Sequence, residues 1–332
     1  MKLTEFEMRK IIAYLSVFAM AVVFLSSCKG KDKGRTISAC EVEASPELHH
    51  GEEPVANHDR YIPLPNPPAI MIGQEQIKDF YRFHFWDNLQ PSMYEESVDT
   101  MMMLNSFVAY LQLLTEGGVP DAKPIGKLME KCITDKPLMD LFSMLADHIL
   151  NDPNSPYRED EFYIPVLQAR ISSGLYDQAS QIRDRHTLEL AMQNRIGQKA
   201  NDFKYTLKDG SSGTLYGIKA PFTLIFINNP GCSMCRTIRE SICASRYLMQ
   251  LIDDGTMQVV GIYPDEDLDE WNEYYDEIPS NWINGYDEGC TIRRNGTYKL
   301  NAIPALYLLD ADKMVLVKDG TDVAAIESVL AR

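Results

Sequence analysis

The period of the apolar residues changes along the chain. Residues 11–25 form a nearly unbroken apolar stretch, residues 29–71 carry no apolar period, residues 74–194 repeat at helical spacing, and from residue 197 short apolar runs alternate with amphipathic segments. In the helical part Met101, Leu104, Val108 and Leu111 recur at i, i+3, i+7 and i+10, and Leu138, Phe142, Leu145 and Ile149 at i, i+4, i+7 and i+11, so each set is predicted to line one helix face and build a core. Pro120, Pro124 and Pro137 punctuate between helices, and Asn151-Asp152-Pro153-Asn154-Ser155-Pro156 breaks the pattern before a further helical stretch over 159–172. Cys132 shares an apolar face with Ile125 and Leu128 and is expected in the core, where the Met101-Met102-Met103 run is also expected to fill gaps.

The second half reads as strands alternating with helices. Residues 203–207 and 214–216, on either side of Lys208-Asp209-Gly210, suggest an edge hairpin, and 222–228 is a continuous apolar run fit for a strand covered on both faces. A helix is predicted over 236–251, a buried strand over 257–263 and an acidic helix over 267–277. Strands at 305–309 and 314–317 flank an Asp310-Ala311-Asp312-Lys313 turn, and 323–330 closes the chain as a helix. The expectation is an N-terminal all-α domain at 74–194 followed by an α/β domain at 195–332, whose mixed central sheet ends in a hairpin.

Composition narrows the partners. With 45% hydrophobic residues in 332, the chain has ample core material, and its net charge of −16, without a basic stripe, argues against nucleic acid. The apolar stretch at 11–25 is short for a spanning helix and follows Arg9-Lys10, as in a secretory signal peptide occupying 1–27; an uncleaved membrane anchor is the alternative. Leu25-Ser26-Ser27-Cys28 resembles a bacterial lipobox, which implies a lipid anchor on Cys28. Lys29, rather than Asp, after that cysteine argues against inner-membrane retention, so the expected location is the cell envelope, lipid-anchored in the outer membrane and facing the periplasm. Residues 28–73 read as a flexible polar, proline-rich linker; His49, His50 and His58 lie in it without a cysteine partner and are taken as polar linker rather than a metal site.

The remaining cysteines are too sparse for a disulfide framework, and one close-spaced pair attracts attention. Cys232-Ser233-Met234-Cys235 follows the buried strand and an Asn229-Pro230-Gly231 turn and opens a helix. Unpaired N–H groups and the dipole at a helix start favour a thiolate at Cys232, the attacking sulfur, and Cys235 one turn on can reach it and resolve a mixed disulfide. No second CxxC follows to complete a zinc site, and no metal or cofactor is expected. Cys243 is expected as buried filler on the same helix, while Cys290 lies in a loop, free or paired. The acidic segment from Asp265 to Glu277, interleaved with Trp271, Tyr274 and Tyr275, is read as a solvated face in preference to a basic-partner dock or a calcium site.

These residues resemble the thioredoxin-like superfamily, specifically TlpA-type envelope proteins, over 197–332. Gly197-Gln198-Lys199-Ala200-Asn201-Asp202-Phe203 is similar to that family's leading segment, 222–235 to its strand and active-site turn, and Ile303-Pro304-Ala305-Leu306-Tyr307 to its cis-proline segment. The resemblance implies catalytic Cys232 and Cys235 with a substrate groove shaped by Pro304, Ile303 and Gly231. Asp152-Pro153-Asn154-Ser155-Pro156-Tyr157-Arg158, Asn194-Arg195-Ile196-Gly197 and Asn229-Pro230-Gly231-Cys232 further resemble the uncharacterised domain that precedes a thioredoxin-like domain in lipoproteins of Gram-negative gut bacteria.

The departures matter too. Gly231 stands where enzymatic thioredoxins carry Trp, Met234 where they carry Pro, Phe226 in place of a buried carboxylate, and Ile238 in place of the TlpA-type Glu, with Glu240 two positions away. A peroxiredoxin Pro-x-x-x-Thr-x-x-Cys pattern fits neither Cys232, preceded by Ile225 and Asn229 at those offsets, nor Cys235, preceded by Asn228 and Cys232. The expected function is therefore thiol–disulfide exchange with disulfide- or thiol-bearing envelope proteins and a redox partner protein. The competing expectation is a non-enzymatic interaction or scaffold lipoprotein that keeps the fold. If Cys28 carries the anchor, Cys28→Ala moves the protein from the membrane to the soluble envelope fraction on cell fractionation; a variant still wholly in the membrane pellet contradicts the lipobox.

Overall fold

The computed structural model describes residues 62–89, 100–115 and 120–331. The segment expected to be a signal peptide, Cys28, Cys40, His49, His50 and His58 lie outside the described residues. Packing divides the chain into two units, Met1–Glu159 and Asp160–Arg332.

The first unit contains α1 (Gln74–His84), α2 (Thr100–Thr115), α3 (Lys123–Cys132) and α4 (Lys136–Ala146), which runs on into a π-helical turn at Asp147–Asn151. Asp135 caps α4 by accepting from the Leu138 N–H at 3.0 Å, with Pro137 in the first turn, where its missing N–H costs nothing. The core is aromatic: the Trp86 ring meets Phe142 edge-on at 4.9 Å and Tyr110 at 5.6 Å. Leu138, Phe142, Leu145, Ile149 and Cys132 are buried as expected. On α2 the buried stripe is Met103, Phe107, Tyr110 and Leu114 together with Leu104 and Leu111, while Met101 and Val108 sit at its edge. Its largest rings, Phe107 and Tyr110, take the inward direction and rotate the helix away from the expected face.

The second unit starts with α5 (Asp160–Ser172) and α6 (Gln178–Ala191), followed by β1 (Lys204–Thr206), β2 (Ser212–Thr214), β3 (Phe222–Ile227), α7 (Ser233–Ala244), α8 (Arg246–Asp253) and β4 (Met257–Tyr263). Then come α9 (Leu268–Glu273), β5 (Ile283–Tyr286), α10 (Thr291–Arg294), β6 (Ala305–Leu309), β7 (Val315–Gly320) and α11 (Val323–Leu330). The seven strands form one mixed sheet in the order β2-β1-β5-β4-β3-β6-β7. β3 is parallel to β4 and antiparallel to β6, and β6 and β7 close the sheet as a hairpin. Alternation sorts the central strands onto two cores. Ile225, Ile227, Val260, Ile262 and Tyr307 face Phe203, Leu215 and Tyr298, whereas Leu224, Phe226, Val259 and Leu306 face Ile238, Ile242, Leu248 and Ile326 on α7, α8 and α11. Among the described residues no helix is long and apolar enough to cross a membrane.

Several expected boundaries move. The hairpin's second strand lies at Ser212–Thr214, and Leu215–Gly217 is a 3-10 turn in which the Thr214 hydroxyl accepts from the Gly217 N–H and Leu215 is buried. The helix expected over 236–251 is two helices, broken where Ser245 leaves helical geometry and caps α8 by accepting from Leu248 N–H at 3.0 Å. The acidic helix ends at Glu273 and continues as a 3-10 turn, Tyr275–Glu277. β5 was not anticipated: it is four residues long, and its Asn284 and Gly285 have low strand propensity, so pairing with β4 makes the strand.

A buried charge cluster ties α5 to the sheet. Asp160 pairs with Lys299 and, at 2.8 Å, with Lys318; the three side chains are 6%, 1% and 6% exposed. Lys318 also donates to the Ala191 carbonyl at the end of α6. Burial alone would raise the Asp160 carboxyl, but Lys318 and Lys299 outweigh it and hold it below its ordinary value of 3.8. Its stabilising contribution is therefore fully present above pH 3.8 and is lost as pH falls through the lower folded value. Asp160→Asn is expected to lower the stability of this unit by about 3–5 kcal/mol in urea unfolding at neutral pH, because the carboxylate that two buried lysines share is removed. A loss under about 1 kcal/mol shows that the cluster is not desolvated.

Candidate active site

β3 delivers the chain to the site. Its last hydrogen bonds run on as the Asn228 N–H donates to the Ile262 carbonyl at 3.0 Å, after which Asn229, Pro230 and Gly231 reverse direction. Gly231 has φ of +66°, a left-handed conformation that side-chain-bearing residues rarely adopt. A Cβ there would clear its neighbours, coming no nearer than 3.7 Å to Glu270 Oε1, so the backbone angle, not crowding, asks for glycine.

Cys232 is the N-cap of α7. Its sulfur occupies the place where Ser or Asp usually sits and accepts from the Cys235 N–H at 3.2 Å. Cys232 is half-buried, while Cys235, one turn on, is 3% exposed among Phe226, Ile238, Ile242 and Leu306. Burial and the contact with Cys232 push the Cys235 thiol up to about 12. The two sulfurs are thus sorted, one at the opening and one in the core.

The Ile303–Pro304 peptide is cis, and the Ile303 carbonyl lies 4.0 Å from Cys232 Sγ. Structure therefore brings Cys232, Cys235, Gly231, Ile303 and Pro304 to one place. Phe226 and Ile238 are wholly within the apolar cluster below Cys235, so no carboxylate stands at either position.

A narrow cleft of about 20 Å³ runs from the pair to α9, with Asn229, Arg236, Arg239, Trp271, Tyr274 and Glu277 in its walls. Trp271 anchors α9 by donating to Asn284 Oδ1 at 3.3 Å, and Asn284 in turn donates to the Tyr275 carbonyl at 3.1 Å. The Asn229 amide donates to Asp265 at 3.1 Å, and Asp265 is paired with Arg293 at 3.1 Å. Neither Asn229 nor Asp265 was singled out individually from sequence as a site residue; they are 36 positions apart, so no local pattern signals the contact.

A thioredoxin-like protein from Bacteroides caccae is 40% identical over 81% of this chain and 98% of its own, with a TM-score of 0.75. The chain belongs to the thioredoxin-like family. A family model described as a domain of unknown function, DUF5106, matches residues 29–194 of this thioredoxin-like chain. The C-terminal domain of an uncharacterized protein from Bacteroides fragilis is 45% identical over 42% of the chain and 99% of its own, with a TM-score of 0.41. No curated protein matches the chain.

Among the described residues of the thioredoxin-like chain, Cys132, Cys243 and Cys290 are free thiols outside this pair. Cys243 is exposed, against the expectation of a buried filler, because α7 turns Cys235, Ile238 and Ile242 inward and the following position outward. Cys290 is a buried free thiol in left-handed geometry at φ of 52°, and Cys132 is buried in the helical unit, with burial pushing its thiol up to about 12. Among the described residues no three His, Cys, Asp or Glu side chains form a metal-holding group. At neutral pH iodoacetamide is expected to modify Cys232 and Cys243 in the reduced protein while leaving Cys235 and Cys132 intact, read by peptide mass mapping. Equal labelling of Cys232 and Cys235 contradicts the sorting of the two sulfurs.

Proposed function

We propose that the protein is a thiol–disulfide oxidoreductase of the bacterial cell envelope, exchanging disulfides with periplasmic proteins through Cys232 and Cys235. The observation that carries this reading is the capping geometry: Cys232 Sγ, half-exposed at the start of α7, accepts from the backbone of the buried partner cysteine at 3.2 Å. The Cys232 thiolate attacks a substrate disulfide and forms a mixed disulfide, releasing one substrate thiolate. Cys235 then loses its proton and attacks Cys232 Sγ, which frees the second substrate thiolate and leaves the protein oxidised. Electrons return from a redox partner protein through the reverse steps. A lipid anchor on Cys28 and a linker over 28–73 would hold the unit in the periplasm, near disulfide- or thiol-bearing envelope proteins.

A titration against dithiothreitol and glutathione ratios, with alkylation and mass mapping, is expected to show one reversible two-electron couple between Cys232 and Cys235. Cys235→Ser is expected to accumulate a mixed disulfide on Cys232, and Cys232→Ser to form none. If the two never pair, or pair only with Cys243 or Cys290, the exchange reading fails and a scaffold remains.

A further inference from the structure

Two acceptors beside the Cys232 turn are unmatched among the described residues: an exposed carboxylate next to Gly231 and a buried amide oxygen in the cleft wall. Glu270 lies on α9 with Oε1 3.7 Å from the Cβ position of Gly231, and among the described residues its carboxylate joins no ion pair. The cations nearby face other carboxylates: Arg239 pairs with Glu277 at 2.7 Å, Arg293 with Asp265 at 3.1 Å, and the half-exposed Arg236 in the cleft wall with Glu277 at 3.8 Å. Asn229 Oδ1, in the cleft wall, is buried and has no hydrogen-bond partner. The amide is not reversed, since its Nδ2 donates to Asp265 and the opposite orientation would set an oxygen against a carboxylate. That buried oxygen is costly to leave unmatched, whereas the Glu270 carboxylate is exposed and open to a partner's cation. The local field has the same sign: burial and then Asp265, Glu270 and Asp267 push the Tyr263 hydroxyl up to about 12.

Resting on the exchange proposed at Cys232, we infer that Glu270 is a specificity-determining residue, favouring protein disulfides flanked by a lysine or arginine side chain. Its position is fixed by the buried Trp271 next to it on the helix, so the carboxylate is presented on an anchored wall. The cation of the partner docks against Glu270 over Gly231 while its disulfide reaches Cys232. A partner with a carboxylate at that place is repelled.

The test follows oxidation of the reduced protein by three small disulfides: cystamine, which is cationic, 2-hydroxyethyl disulfide, which is neutral, and 3,3′-dithiodipropionate, which is anionic. In each, one disulfide becomes two thiols as the Cys232 and Cys235 dithiol becomes a disulfide. Dividing each rate by that of the same compound with dithiothreitol removes differences in leaving-group thiol. At low ionic strength the normalised rate with cystamine is expected to exceed that with dithiodipropionate by about tenfold, the neutral compound lying between. The ratio is expected to fall to about threefold or less in Glu270→Gln, to invert in Glu270→Lys, and to approach one in about 1 M salt. Equal normalised rates in the unmodified protein, or a bias unchanged by Glu270→Gln, overturn the role of Glu270 and leave the exchange reading standing. Failure of all three compounds to pair Cys232 with Cys235 defeats the exchange reading, and the specificity with it.

Discussion

Burial of β3 on both faces is the constraint on which the second unit depends. Five of its six residues have almost no exposed surface and must be covered above and below, so the strand sits at the centre of the sheet, between β4 and β6. Alternate side chains serve two cores, and a one-residue slip would exchange them. The chain emerges from this strand at a determined height and direction. The turn at Asn229-Pro230-Gly231 and the cap sulfur of Cys232 inherit that position, as does Cys235, whose burial is continuous with Phe226 of the same strand.

The site is asymmetric for reasons that follow from that placement. One sulfur caps a helix and is open to partners; the other lies in an apolar core with no carboxylate at the positions of Phe226 and Ile238. Proton loss from Cys235 is correspondingly hard. The acidic helix α9, held to β5 through Trp271 and Asn284, forms one wall beside this opening. In the exchange proposed here the thioredoxin-like core would supply the chemistry, with α9 as a wall beside it.

Much of this was legible in sequence where residue pattern and burial coincide. The apolar runs that became β3, β4 and β6, the strand-turn-CxxC-helix order and the Asp310-Ala311-Asp312-Lys313 turn all carry their reason locally. What was not legible depends on distant partners. β5 exists because β4 offers it a ladder, Ser245 breaks a helix by capping the next one, and the Asn229–Asp265 contact joins segments with no shared period. Cys243 shows the limit of periodicity in another way: an apolar-looking residue one step beyond the buried stripe of α7 faces solvent. Legibility of the expected site was similarly divided, since Cys232 and Cys235 announce themselves by spacing while Glu270 beside Gly231 and the cleft wall at Asn229 do so only in three dimensions.

The cluster of Asp160, Lys299 and Lys318 joins residues that stand far apart in the chain, Asp160 and Lys299 being 139 positions from each other. None of the three is comfortable in an apolar interior without the others. A change at any one of them therefore alters the charge balance around the other two, so the three side chains act as one unit that fastens α5 to the strand carrying Lys318 and to the segment carrying Lys299.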